Sequence, residues 1–182
     1  MVADRGCERD VVNRKNEGYR AWRALKSVMS NRGLGIKAKK YLYEGVIAPT
    51  ALYGADAWSM RSAERRKVNV LEMKCLRNLV GVSRMDRVRN EDVRMIAGIE
   101  RELLSRADQR VLRWFGHVER MDEYRMEKRV LMAEVSGGRV RGRPRLGWKD
   151  GVKVALASRG MTVKAARQSA KDREEWRALV HM

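Results

Sequence analysis

The stretch Leu104–Val118, LSRADQRVLRWFGHV, decides the fold class of this chain. Its apolar residues recur at spacings of three, four and seven, and those on one side are Leu104, Val111, Phe115 and Val118. Such spacing places them along one face of a helix, with polar and charged residues on the other faces. The stretch therefore predicts a long amphipathic helix.

Shorter segments on either side follow the same pattern. Helices are predicted over 10–30, over 36–58 with a kink or break near Pro49, from Ser62 to Gly81, from Asn90 to Gly98, and over 124–134, 148–159 and 162–180. Ser62, Asn90 and Thr162 are the residue types that cap helix N-termini, and Gly81 and Gly98 suit C-termini. No strand-like alternation persists and no internal repeat is present, so the predicted class is all-α.

Residues 136–147, SGGRVRGRPRLG, differ from the helical segments. They hold four glycines, four arginines and one proline, with no acid and few apolar groups to bury. This composition predicts a basic linker. The predicted organisation is an N-terminal basic helix at 1–33, a helical region at 34–135, the linker at 136–147 and a C-terminal helical pair at 148–182.

The charge balance indicates a polyanionic partner. Lys and Arg number 41 against 23 Asp and Glu among 182 residues, a formal charge of +18. Phosphate contacts release counterions, so such a charge favours DNA or RNA. A solvated basic surface and an anionic membrane surface are the alternatives. The candidate nucleic-acid-binding residues lie in a basic turn and in the linker, and they are Arg84, Arg87, Arg89, Arg139, Arg141, Arg143 and Arg145.

The linker contains Arg141-Gly142-Arg143-Pro144, which matches the core of an AT-hook. In such an element the extended backbone enters a narrow A·T-rich minor groove, whose negative potential attracts the guanidinium groups. Arg139 and Arg145 would add phosphate contacts. Non-specific phosphate binding and a merely flexible linker remain open.

No catalytic or metal-binding motif is evident, and we expect neither enzymatic activity nor a cofactor. Nucleotide-binding glycine loops, HExxH and GxSxG are missing. Cys75 lies in an apolar stripe, so a buried thiol is favoured over a nucleophile paired with His117. A helix-turn-helix fragment over Arg84–Gly98 is disfavoured by Glu91 and Asp92, which would face phosphates. The five tryptophans favour core or core-edge positions over base stacking.

Neither a targeting segment nor a membrane span is predicted. Charged residues occur within the first five positions and no apolar segment follows them, unlike in a signal peptide. The longest apolar stretch, Val46–Trp58, is interrupted and too short to cross a bilayer. We expect an intracellular protein, nuclear or cytoplasmic.

Several segments together resemble the region beyond the polymerase palm in LINE-type (non-LTR) retrotransposon reverse transcriptases. In chain order they are Leu52–Trp58 (LYGADAW), Glu72–Arg77 (EMKCLR), Asp86–Glu91 (DRVRNE), Leu112–Val118 (LRWFGHV), Gly142–Arg145 (GRPR) and Asp172–Arg177 (DREEWR). The first resembles the family's LYGAExW segment. The resemblance extends over roughly residues 36–180.

The resemblance implies a thumb-like helical bundle followed by a small C-terminal helical hairpin. In the family the thumb grips the template–primer duplex, and the C-terminal region contacts RNA and target DNA. The palm with its metal-binding aspartates is not matched, so this stretch is expected to bind nucleic acid without polymerising it. A helical module that docks an acidic protein and a non-functional relic of a longer element are the alternatives.

Overall fold

The computed structural model describes residues 3–133 and 146–181. Regular structure in these ranges is helical, without strands, which confirms the all-α prediction. The α-helices are α1 (Ala3–Ser30), α2 (Ile36–Leu42), α3 (Ala48–Ala51), α4 (Ser62–Val80), α5 (Asn90–Ala97), α6 (Leu103–Glu119), α7 (Met126–Met132), α8 (Trp148–Ala157), α9 (Val163–Ser169) and α10 (Arg173–His181). No helix within the described ranges has the length and apolar character needed to cross a membrane.

The chain divides into two compact units. The N-terminal unit comprises Glu8–Gly54 and Met60–Arg106, and the C-terminal unit comprises Met1–Cys7, Ala55–Ser59 and Ala107–Met182, as far as these are described. The predicted linker at 136–147 lies almost wholly outside the described residues, so the domain boundaries drawn around it stay predictions.

The backbone stays helical through the segment in which a kink or break was expected at Pro49, but it contains a turn that the sequence did not indicate. A π-helical turn, Tyr43–Ile47, joins α2 to α3, and Pro49 lies in the first turn of α3. Proline has no N–H to donate and its ring crowds the preceding turn. Ala48 N–H donates to the Tyr43 carbonyl, five residues back, so the hydrogen bonds directly before Pro49 already depart from the α-helical pattern that a proline cannot complete.

The predicted helix ends are partly confirmed. Gly81 and Gly98 adopt left-handed backbone angles after α4 and α5, with φ of 78° and 67°. The Thr162 side chain accepts a hydrogen bond from Ala165 N–H, as an N-cap does. The predictions for Ser62 and Asn90 are each wrong by one residue, because both are already helical.

The C-terminal region contains one more helix than predicted. The expected helix over 162–180 is divided into α9 and α10. Asp172 Oδ1 accepts hydrogen bonds from the N–H groups of Glu174 and Glu175, at 2.8 and 2.9 Å. These bonds satisfy N–H groups at the start of a new helix, so the chain turns at Asp172 instead of continuing.

A close approach between α1 and its neighbours organises the N-terminal unit. Val11, Gly18, Trp22 and Met29 are buried along one face of α1. A Cβ atom at Gly18 would lie 2.8 Å from Leu71 Cδ2 and 2.9 Å from Ala51 Cβ. The missing side chain therefore lets α1 contact both α4 and α3 directly.

A buried carboxylate joins α4, α5 and the start of α6. Glu72 has 0% exposure, and its Oε2 accepts a hydrogen bond from Arg94 Nη2 at 2.9 Å. Its Oε1 accepts from Leu103 N–H at 2.8 Å. The other side of the Arg94 guanidinium lies 2.8 Å from Glu102 Oε1. Because a buried charge is costly unless it is paired, these contacts are mutually dependent.

The C-terminal unit has its own apolar core. It is built mainly from α6, α8, α9 and α10 and contains Val111, Leu112, Phe115, Val118, Leu131, Val152, Ala155, Leu156, Ala166, Ala170, Trp176 and Val180. The first turn of α6 belongs to the N-terminal unit, and there Leu103 is buried, whereas Leu104, predicted for the buried face of this helix, is only half-buried. Beside this core, Glu119 pairs with Lys128 at 2.7 Å and with Arg167 at 3.3 Å.

We predict that Glu72→Ala lowers the free energy of unfolding by about 3–5 kcal/mol, because it leaves Arg94, whose side chain is only 12% exposed, without its inner partner. Urea unfolding followed by circular dichroism measures the change. The matched control is Glu8→Ala, an exposed glutamate of the same unit, for which we expect less than about 0.5 kcal/mol. A loss below about 1 kcal/mol for Glu72→Ala would contradict the role given to this carboxylate.

Candidate nucleic-acid interface

The basic turn, residues 81–89, connects α4 to α5 in the N-terminal unit. Ser83 N–H donates to Asp86 Oδ2 at 2.6 Å, and Met85 N–H donates to Ser83 Oγ at 3.1 Å. The hydrogen bonds from Ser83 lower the pKa of Asp86, the backbone bond contributing most. Arg87 adopts a left-handed φ of 53°. The turn is thus closed by its own polar groups.

Arg77 on α4 fixes the far end of the basic turn. Its Nη2 donates to the Val88 carbonyl at 2.7 Å, and its Nη1 donates to Asn90 Oδ1 at 3.2 Å. The side chains of Arg84, Arg87 and Arg89 are exposed, and within the described ranges none of them forms an ion pair or a side-chain hydrogen bond. The structure therefore presents three of the seven predicted binding residues together, on an ordered turn, with their charges uncompensated.

The other four predicted binding residues belong to the linker. Arg139, Arg141, Arg143 and Arg145 lie outside the described residues. Their role, including the AT-hook, stays a prediction from sequence.

The motif RWFGHV on α6 has a structural explanation in the C-terminal unit. Trp176 of α10 packs against Gly116, where an added Cβ would overlap the indole Nε1 atom. That Nε1 donates to the Leu112 carbonyl at 3.0 Å. The rings of Phe115 and Trp176 are 5.7 Å apart and tilted by 50°. Only a glycine allows α10 to lie this close to α6.

An arginine groove lies where α10 packs on α6. Its volume is about 420 Å³ and its lining consists of Arg113, Arg120, Trp176, Val180, His181 and the exposed pair Arg173 and Arg177. Among the described residues, no carboxylate lines it. Arg120 Nη1 donates to the Ala170 carbonyl at 2.7 Å, and Arg113 Nη2 lies 3.3 Å from His181 Nε2. The pKa of Arg120 is lowered, mainly by partial burial and to a smaller extent by the positive charge of Arg173.

A second, aromatic pocket adjoins the arginine groove on α6. Its volume is about 330 Å³, and it is lined by Asp56, Arg110, Arg113, Trp114 and His117. The Trp114 and His117 rings are 5.4 Å apart. Arg113 belongs to both linings, so the two cavities are neighbours on one surface.

Sequence reasoning missed the arginine groove. Arg110, Arg113, His117 and Arg120 recur at spacings of three and four along α6, which is the one signal that would have shown a basic face. Core positions are confirmed for Trp22, Trp58 and Trp176, whereas Trp114 is 37% exposed. Nothing in the sequence shows that the α10 arginines lie against this face.

The structure disfavours Cys75 as a nucleophile. The thiol is buried, and its pKa is raised to about 12, mainly by burial and to a smaller extent by the negative charge of Glu72. Since the thiolate is the reactive form, the group is inert at neutral pH. His117 is exposed on α6. Within the described ranges, no three His, Cys, Asp or Glu side chains are grouped to hold a metal ion.

Comparison with known proteins finds a transposon-derived relative. The chain is 29% identical over 154 residues to an uncharacterized transposon-derived protein of Caenorhabditis elegans. The match covers 79% of this chain and 54% of that protein, so the chain spans about half the length of its relative. No family model matches the chain. No solved structure matches it either.

We predict that Gly116→Ala destabilises the protein by about 1–3 kcal/mol, because the new methyl group overlaps the Trp176 indole. The control is Gly45→Ala, where an added Cβ meets nothing within 4 Å. Alanine favours a helix over glycine by up to about 1 kcal/mol, so the control is expected to be neutral or more stable. Thermal unfolding compares the two, and equal stability of both variants would disprove the close contact.

Proposed function

We propose that this chain is a transposon-derived nucleic-acid-binding module, equivalent to the thumb and C-terminal region of a LINE-type reverse transcriptase. Two observations support the origin: the resemblance of six ordered segments, and the similarity to a transposon-derived nematode protein. The proposal assigns binding, not catalysis, to this stretch, because the matching segments all belong to the region beyond the palm.

The basic turn carries the proposed binding. Arg84, Arg87 and Arg89 project from an ordered turn, and their charges have no acidic partner in the described ranges. An arginine already paired with a carboxylate must give up that pair to bind phosphate, whereas these three need not. Their fixed backbone also reduces the entropy lost on binding. Phosphodiester groups of DNA or RNA are the natural ligands for such donors.

We predict that replacing Arg84, Arg87 and Arg89 together by Ala makes binding less dependent on salt. Each lost phosphate contact reduces the magnitude of the slope of log K against log salt by about 0.9 on duplex DNA. The slope of the triple variant should therefore be smaller by about 2 to 3. Fluorescence anisotropy with a duplex and with an RNA–DNA hybrid, over a series of salt concentrations, measures the slope.

A matched triple variant controls for net charge. Arg20, Arg125 and Lys153 are surface cations that pair with Glu17, Glu127 and Asp150, at 2.6, 3.7 and 3.0 Å. Replacing these three by Ala removes the same formal charge, and we expect the slope to change by less than about 1. Equal changes in both triple variants would show that only total charge matters.

No binding at low salt would refute the function, and co-purification of an acidic protein without nucleic acid would favour a protein partner.

The linker supports a separate prediction about DNA sequence. Replacing Arg141 and Arg143 by Ala should weaken binding to an A·T-rich duplex more than to a G·C-rich duplex, because only the former offers a narrow minor groove of high negative potential. Anisotropy with two duplexes of equal length measures this. An equal loss of affinity for both duplexes would show that the linker arginines only contact phosphates.

A further inference from the structure

The arginine groove and the aromatic pocket form a combined surface that the basic turn does not explain. All of its residues belong to the C-terminal unit. Arg113 lies between the two cavities and lines both. One cavity offers guanidinium groups, and the other offers an aromatic ring.

The groove has the chemistry of a phosphate site. Arg113, Arg173 and Arg177 form no ion pair among the described residues, and Arg120 is held by a backbone carbonyl, not by an acid. Four like charges around one groove repel one another, and a bound anion removes that repulsion. The N-terminus of α10 is not the donor, because Asp172 already accepts the N–H groups of Glu174 and Glu175.

The exposed side chain of Trp114 indicates a site for a nucleotide and not merely for an anion. It is the most exposed of the five tryptophans, at 37%. Trp148, by contrast, is half-buried and donates through Nε1 to the Asp56 carbonyl at 2.8 Å. An exposed indole beside Arg113, which forms no ion pair among the described residues, is the combination that binds unpaired bases, because a base stacks on the ring while the guanidinium group holds the backbone. Asp56 is the one carboxylate in the described lining of this pocket.

We propose that this surface binds an unpaired nucleotide of a single-stranded nucleic acid, with its phosphate in the arginine groove and its base stacked on Trp114. The proposal rests on the nucleic-acid-binding function given above and adds a preference for strand form. A duplex presents phosphates but hides the faces of its bases, so Trp114 contributes only to single-strand binding.

The test uses the full chain and two labelled probes, an oligothymidylate of about 12 nucleotides and a duplex of the same length. Anisotropy gives both affinities. We expect Trp114→Ala to weaken single-strand binding by about 5- to 150-fold and to change duplex binding by less than about twofold. Trp114→Phe, which keeps an aromatic face, should retain most of the affinity. Arg113→Ala and Arg177→Ala should each weaken single-strand binding about tenfold.

Two matched variants keep the result specific. Tyr124→Ala removes an aromatic side chain that is 94% exposed in the same unit but lies outside both cavities, and should leave both affinities unchanged. Arg84→Ala removes one charge from the basic turn and should weaken both probes alike. Trp emission provides a direct signal: the oligothymidylate should quench it in the parent chain and much less in Trp114→Phe.

The outcomes separate this proposal from the broader function. If both probes bind but Trp114→Ala weakens them equally or not at all, the nucleotide site is wrong while nucleic-acid binding stands. If neither probe binds at low salt, both proposals fail. If polyglutamate binds as tightly as the oligothymidylate and depends on the same arginines but not on Trp114, the groove is an acidic-peptide site.

Discussion

The contact between the Trp176 indole and Gly116 is the constraint on which the C-terminal unit depends. A residue with any side chain at position 116 would push α10 away from α6, because a Cβ there would overlap the ring. The contact is directional as well as close, since Nε1 donates to the Leu112 carbonyl. It fixes α10 against α6 and so brings Arg173 and Arg177 beside Arg113 and Arg120. The periodic spacing of apolar groups alone would allow other registers of the two helices.

The N-terminal unit depends on a polar contact of the same importance. Glu72 lies fully buried and is compensated by Arg94 and by the Leu103 N–H group. A buried pair of this kind adds little net stability over apolar residues, but loss of either member leaves a buried charge. Its consequence is positional: α4 and α5, which flank the basic turn, are joined through it. The turn that bears the exposed arginines therefore lies between two helices whose relative position is fixed.

Both candidate surfaces combine a rigid scaffold with arginines that have no acidic partner in the part of the chain that the structure describes. In the basic turn the backbone is closed by Ser83, Asp86 and Arg77, and three guanidinium groups remain available. In the arginine groove the scaffold is the packing of α10 on α6, and an exposed tryptophan adjoins it. The first arrangement suits any phosphate backbone, and the second suits a strand whose bases are free to stack.

The sequence by itself determined the helical class, the helix ends at Gly81 and Gly98, the N-cap at Thr162 and the exposed basic turn. These features follow from local periodicity and backbone preferences, which act over a few residues. It did not determine the division at Asp172, where a side chain competes with the helix for N–H groups, or the π-helical turn before Pro49. Only the tertiary structure decided that Trp114 is exposed while Trp176 is buried, and that arginines some 60 residues apart line one groove. The reason is that burial and charge proximity depend on how α6 and α10 pack, and that packing is decided by a glycine whose role is invisible until the tryptophan lies against it.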